Sequence, residues 1–255
     1  MSMAGKARDK QLEMAVSDRA RTILQTGLPM RPTRVDLLAL ARKLSEVCKT
    51  PAGLAERLYD VFEKSARPGA PVERLACKKG CAYCCHGMVA ITAPEAFALA
   101  ARLRKDGADA IVQFRERATA VAGKSASERL GAKLPCPLLG SDGACTVYAV
   151  RPLAFRRGVS VELKPCLEEF EGQDGEIAVP AHYNAHAANV LVALAVALAD
   201  ARQPLAHYEF SAAVLAVLDV PDAEAKWRRG EDLFAGLRRE DIGDAVDEAA
   251  AALQD

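Results

Sequence analysis

No charge of one sign dominates this chain: Lys plus Arg and Asp plus Glu each number 34. Nucleic-acid binders draw affinity from a surplus of cations that contact phosphates, so a polyanion partner is not expected. Long apolar runs are also missing. The most apolar stretch, Val190 to Ala199, falls well short of the roughly 20 residues a bilayer requires. The N-terminal MSMAGKARDKQLEMAV lacks the apolar centre of a secretory signal. These absences lead to the expectation of a soluble cytoplasmic protein with no membrane partner. There is no glycine-rich strand-to-helix loop of the kind that marks a nucleotide or methyl-donor site, and no clear internal repeat or low-complexity linker.

What the chain does have is apolar content and cysteine. Of its 255 residues 51% are hydrophobic, enough for a sizeable core. Three regions separate by composition. Residues 1–70 read as a helical N-terminal extension: from Asp9 to Ala66 apolar residues recur at helical spacing, as in VDLLALARKLSEVC and GLAERLYDVFEKSA, with Pro32 and Pro51 as starts or breaks. Residues 71–178 hold seven of the eight cysteines. Within them ITAPEAFALAARLRKDG reads as a capped helix, with Thr92 at the N-cap, Pro94 in the first turn, Glu95 three residues after the cap and Gly107 at the end. A second helix over about Ala108 to Lys124 follows, and Gly140, Asp142 and Gly143 then mark a tight reversal between two short extended pieces. Residues 179–255 are alanine-rich and helical, in AHYNAHAANVLVALAVALADA, LAHYEFSAAVLAVL and AEAKWRRGEDLFAGL, and should pack on the middle region as one compact domain. The fold class expected is mainly α, a helical domain whose cysteine-bearing loops, with room for one short β-hairpin, form a metal centre.

Eight cysteines in a reducing compartment point away from disulfide staples and toward metal or redox work. The spacing is Cys77-x3-Cys81-x2-Cys84-Cys85, then Cys136-x8-Cys145, then Cys166. Thiolates are soft ligands that suit zinc or iron, and a C-x2-C turn can aim two sulfurs, here Cys81 and Cys84, at one point. Adjacent side chains such as Cys84 and Cys85 diverge in extended backbone. The doublet therefore suits a bridged or polynuclear centre, or one ligand beside one structural thiol. Seven thiolates would be an intolerable buried charge without cations to match them. Lys78, Lys79, Arg151, Arg156 and Arg157 can offset part of that charge or stand as ordinary solvated residues. A thioredoxin-type redox pair would sit in a βαβ unit, and the surroundings here are helical. Cys48 lies in a helical apolar pattern and reads as a small core residue.

His182 and His186 are four apart just after Pro180, a spacing that puts both imidazoles on one helix face and is used by metal pairs; a capping or surface role is the alternative. His86 follows Cys85 and can ligate or face solvent. His207 stands alone in an amphipathic stretch. The metal-ligand candidates are thus Cys77, Cys81, Cys84, Cys85, Cys136, Cys145, Cys166, His182 and His186.

C-x3-C-x2-CC, followed by CPLLGSDGACTVYAVRPLAFR and then Cys166, resembles the YkgJ-type or CxxCxxCC cysteine-cluster family, a zinc- or iron-chelating domain. The resemblance covers about Glu73 to Phe170, and ALADARQ and KWRRGEDLF extend it toward residue 237. It implies metal binding by the seven cysteines from Cys77 to Cys166. In that family the R-P-L-A stretch runs into Cys-Arg; here Phe155 precedes Arg156. The departure implies fewer metals, a histidine in place of the missing ligand, or an open coordination position. Flagellin lysine N-methylases share a similar cluster.

Three kinds of function follow. The first is a metal-binding protein with a multi-cysteine zinc or iron centre that serves storage, sensing, delivery or fold organisation, with metal ions as partners. The second is an iron or iron-sulfur enzyme of redox or protein-modifying type, with an open position and a pocket. The third is a helical interaction module using Trp227 and the amphipathic tail, although a single tryptophan more often sits in a core.

Overall fold

The computed structural model describes residues 3–47, 49–67 and 75–239; Cys48 and the tail beyond residue 239 lie outside them. Among the described residues the chain is mainly α, as the periodicity predicts, with eleven α-helices and one two-stranded sheet. The N-terminal region forms α1 (Met3–Thr26), α2 (Arg34–Val47) and α3 (Pro51–Ala66). Thr50 caps α3 by accepting a hydrogen bond from the Gly53 N–H at 3.0 Å, with Pro51 in the first turn, where its missing N–H costs nothing.

The middle region begins with the first cysteine loop and its 3₁₀ turn Tyr83–His86. Strand β1 (Ala90–Thr92) leads directly into α4 (Ala93–Asp106), and Gly107 ends that helix at φ +106° before α5 (Ala108–Val121). A short α6 (Ala126–Gly131) follows, started by a Ser125–Glu128 capping box. Then come α7 (Leu153–Arg157) and α8 (Lys164–Phe170). The C-terminal region supplies α9 (Ala181–Asp200), β2 (His207–Glu209), α10 (Phe210–Asp219) and α11 (Ala223–Arg228).

Helix α9 is the axis of the core. It is apolar on most of its circumference, and Val190, Ala193, Leu194, Ala197 and Leu198 are buried against α2 and α3; such a pattern belongs to an interior helix. By length and composition it could cross a membrane, yet most of it is covered by protein. One apolar core joins Leu40, Leu58 and Phe62 from the N-terminal region, Phe97, Leu99 and Phe114 from the middle, and Leu194, Phe210 and Trp227 from the C-terminal region. Trp227 is thus a core residue, packed 5.6 Å from the Phe97 ring.

Three local readings are corrected. HYE, within the stretch expected to be helical from Leu205, is strand β2; it pairs antiparallel with β1, with Ile91 opposite Tyr208. This pairing is non-local, so periodicity over one segment could not reveal it. The expected hairpin around Gly140–Gly143 shrinks to one antiparallel bridge, Leu139 with Cys145. Helix α11 also ends at Arg228, short of the DLFAGL segment, which turns.

The start of α4 is tied to two distant parts of the chain by one carboxylate. Glu95 Oε2 accepts from Thr92 N–H at 2.8 Å and Thr92 Oγ1–H at 2.9 Å. Its Oε1 accepts from Leu153 N–H at 2.7 Å and from Tyr59 O–H at 3.3 Å. Glu95 is 3% exposed, so removing it strands buried donors that water cannot reach. Glu95→Ala is expected to cost about 3 kcal/mol, measured by urea unfolding of the metal-free protein. Glu116→Ala, on the exposed side of α5, should change the midpoint negligibly.

Candidate metal centre

The cysteines arrive from three segments that the backbone locks together. The first loop is anchored at its start by Ala76 N–H donating to Ser160 O at 2.8 Å, and Cys77 Sγ accepts from Ser160 N–H at 3.3 Å. Within it, Cys81 N–H donates to Lys78 O and Cys85 N–H to Ala82 O, each at 2.9 Å, which curls the chain so that Cys81, Cys84 and Cys85 follow one another around a turn. The second loop is fixed to the first by Cys136 N–H donating to Cys85 O at 2.6 Å. Its reversal is held by Gly140 N–H to Ala144 O at 2.8 Å and Ala144 N–H to Asp142 Oδ1 at 3.0 Å.

Two glycines let the loops meet. Gly80 and Gly143 both have positive φ, +88° and +72°, and a side chain at Gly143 would come within 3.4 Å of Gly80 O. Only glycine takes that backbone shape without strain.

The third segment is α8, which carries Cys166. Phe170 at its end packs against Tyr83 at 5.4 Å and His86 at 4.9 Å between ring centres, with the Lys133 ammonium 4.3 Å from the Phe170 ring. His86 is thereby held against Phe170, with Nδ1 3.1 Å from Ala82 O.

The seven described cysteines are all free thiols. Cys77, Cys81, Cys84, Cys85, Cys136 and Cys145 line one cavity of about 350 Å³. Cys166 lines the neighbouring cavity, to which Cys84 also belongs. Lys78, Lys79, Arg151 and Arg156 line the first cavity with the thiols, Lys78 and Lys79 at exposed positions, whereas Arg157 belongs to the second. Arg156 is locked there: it donates to Arg151 O at 2.8 Å, Ala149 O at 2.6 Å and Glu63 Oε1 at 2.9 Å, and stacks 4.3 Å over the Tyr59 ring. Arg151 rests 4.3 Å over the Tyr148 ring.

The histidines do not join the thiols. His182 and His186 share one side of α9, as their spacing predicts, but neither lines the thiol cavity; Tyr183 between them does. His182 Nε2 and His186 Nδ1 are buried without a hydrogen-bond partner. Burial first, and the neighbouring His182 second, lower the His186 pKa. His207 lies in β2, on the wall of the larger cavity.

The donor chemistry fits a soft metal: six sulfurs share one cavity, ringed by basic side chains, and Glu63 is the one carboxylate among its lining residues. No three Cys, His, Asp or Glu side chains among the described residues are close enough to hold an ion as they stand, so metal binding requires the two loops to contract onto it.

Protons are the competitors for these sulfurs. A hydrogen bond with Cys85, then burial, hold the Cys84 thiol far above its ordinary value. Burial pushes Cys136 up to about 11. Burial also raises Cys81, Cys145 and Cys166, with Cys77 adding to the effect at Cys81 and Cys166 and Arg151 opposing it at Cys145. A thiol whose pKa is raised on folding contributes stability below its unfolded value, near 9, and loses that contribution as pH rises through the folded value. The metal-free protein is therefore expected to keep its urea midpoint up to about pH 9 and lose stability toward pH 11. Metal affinity should change in the opposite sense, rising about tenfold per pH unit for each proton displaced. Unfolding curves at several pH values and competitive metal titrations check both.

Comparison with curated proteins and with solved structures gives no match. One family model does match, over residues 76–175, and its description reads "CxxCxxCC: Putative zinc- or iron-chelating domain". The matched segment starts just before Cys77 and ends beyond α8, so it contains all three cysteine-bearing segments and leaves α1 to α3 and α9 to α11 outside. The match to the CxxCxxCC family model covers 100 of the 255 residues in the chain.

Proposed function

We propose that this protein binds zinc or iron through thiolates of the two cysteine loops and Cys166, in a centre able to hold more than one ion, and that it stores, senses or delivers the metal in a reducing compartment. The observation that carries this reading is the shared cavity, lined by six free thiols from two loops some fifty residues apart together with five basic residues. The family match over residues 76–175 supports the metal class. Cys81 and Cys84 are the chelating core; Cys77, Cys85, Cys136 and Cys145 complete the wall, and Cys166 approaches from α8 through Cys84. His182 and His186 stand off this cavity and are secondary candidates. When bound, the metal supplies the positive charge that lets these sulfurs lose their protons.

A second reading, an iron or iron-sulfur enzyme, is favoured by one observation: Cys84 also borders a larger, mostly apolar cavity.

Metal analysis with an absorption spectrum on anaerobically purified protein tests the main reading. Stoichiometric zinc without colour, or iron with visible absorption, is the expected result; no metal with every thiol free contradicts it. Cys81→Ser and Cys84→Ser should each lower metal content several-fold, whereas Cys48→Ser and His186→Ala should leave it near the parent value. Equal losses in all four would contradict the division.

Metal removal should act locally. The core is built mainly by helices; the second loop enters it through Leu138, Val147 and Val150, and Cys77, Cys136 and Cys145 pack against it. Chelation is therefore expected to raise amide hydrogen exchange in residues 76–88 and 134–151 while α4 and α9 stay protected. Uniform loss of protection would instead place metal energy in the whole fold.

A further inference from the structure

The larger cavity, about 730 Å³, lies across Phe155, Cys84 and Gly158 from the thiol cavity; those three residues line both. Its volume is within the roughly 300–1,000 Å³ of small-molecule sites. Apolar side chains from separate elements build its wall: Leu130 on α6, Phe155 on α7, Ile177, and Ala187 and Leu191 on α9. This mostly apolar space lies beside the core and shares Leu153 and Ala187 with it.

The polar groups on the lining are few and differ in how they are held. Both oxygens of Glu95 are consumed by Thr92, Leu153 and Tyr59. Glu169 on α8 makes no ion pair among the described residues. Arg157 is different because it is positioned. Its Nη1 donates to Asn184 Oδ1 at 3.1 Å, which ties the guanidinium to α9 across the cavity rim. Among the described residues it makes no salt bridge with a carboxylate, although its neighbour Arg156 is paired with Glu63. A guanidinium carries five N–H donors in a planar fork that matches a carboxylate, so most of them remain for a ligand.

We propose that this cavity binds a small apolar carboxylic acid, its hydrocarbon part against Leu130, Phe155 and Leu191 and its carboxylate on Arg157 beside Asn184. The apolar wall provides the affinity, and the held guanidinium selects the charge. Through Phe155 and Cys84 the bound acid lies against the wall of the thiol cavity. The site stands on its own geometry and goes beyond the metal reading.

Calorimetric titration of the full-length, metal-containing protein with decanoate, decanol and decylamine tests this, each ligand below its aggregation concentration. Decanoate should bind with one-to-one stoichiometry and more tightly than the other two. Arg157→Gln, a change at an exposed position, should weaken decanoate at least tenfold and leave decanol unchanged. Ala188→Trp, which fills the cavity from α9, should abolish binding of both, with folding checked by circular dichroism. Equal affinity for decanoate and decanol, tighter binding of decylamine, no effect of Arg157→Gln, or no binding of any of them would overturn the proposal. Metal content measured on the same samples keeps the two readings apart: a loaded thiol site with no decanoate binding defeats only this one.

Discussion

The carboxylate of Glu95 is the point on which the site's geometry depends. It ends strand β1 by holding both Thr92 N–H and the Thr92 hydroxyl, and in the same place it holds the Leu153 N–H that starts α7. The first cysteine loop empties into β1 and the second into the turn before α7. One buried group thus fixes the exits of both loops, and Tyr59 on α3 links it to the N-terminal helices. A buried carboxylate is tolerated only where its lone pairs are filled, and here four donors from three parts of the chain fill them.

With their exits pinned, the loops have little freedom in how they face each other. Cys136 N–H reaches Cys85 O, and Gly143 closes on Gly80. Six thiols thereby line one cavity, and the raised pKa values of Cys81, Cys84, Cys136 and Cys145 show the cost of placing them there. Fixed cations reduce the cost without removing it. Arg151 lowers Cys84 and Cys145, but the hydrogen bond with Cys85 outweighs it at the first and burial at the second. In the proposed reading, a cation that enters the cavity meets Cys84, Cys136 and Cys145 thiols that favour their protons and stand too far apart to hold it, so metal binding is linked both to proton release and to contraction of the loops.

Much of this was legible in the sequence, and what was missed shares one physical origin. The helix α4 with Thr92, Glu95, Pro94 and Gly107 could be read because a capping box is a local code. The helical character of the N-terminal and C-terminal regions followed from apolar periodicity, and the face shared by His182 and His186 from four-residue spacing. The thiols' gathering was visible only as a spacing pattern. Invisible were the contacts between distant segments: β1 with β2, Leu153 and Tyr59 with Glu95, Phe170 with Tyr83 and His86. Nothing in HYE signals a strand until AIT is placed beside it. The second role of Glu95 was hidden for the same reason, since its capping function already accounts for it locally.

Phe155 shows how one side chain can change what a centre is for. Of the three consequences its presence implied, replacement by a histidine finds no support, because no histidine lines the thiol cavity. The ring instead stands between two spaces, one walled by sulfur and one by hydrocarbon. A thiol in that position would add a seventh sulfur to a cavity where the ionisation of Cys84, Cys136 and Cys145 is already disfavoured. An aromatic ring adds none, and it supplies a large apolar surface to the second cavity. Cys84 remains the one sulfur that borders both spaces. Phe155 thus separates the thiol cavity from an apolar one by a single side chain, which brings any molecule in the larger space to within one residue's thickness of the thiols.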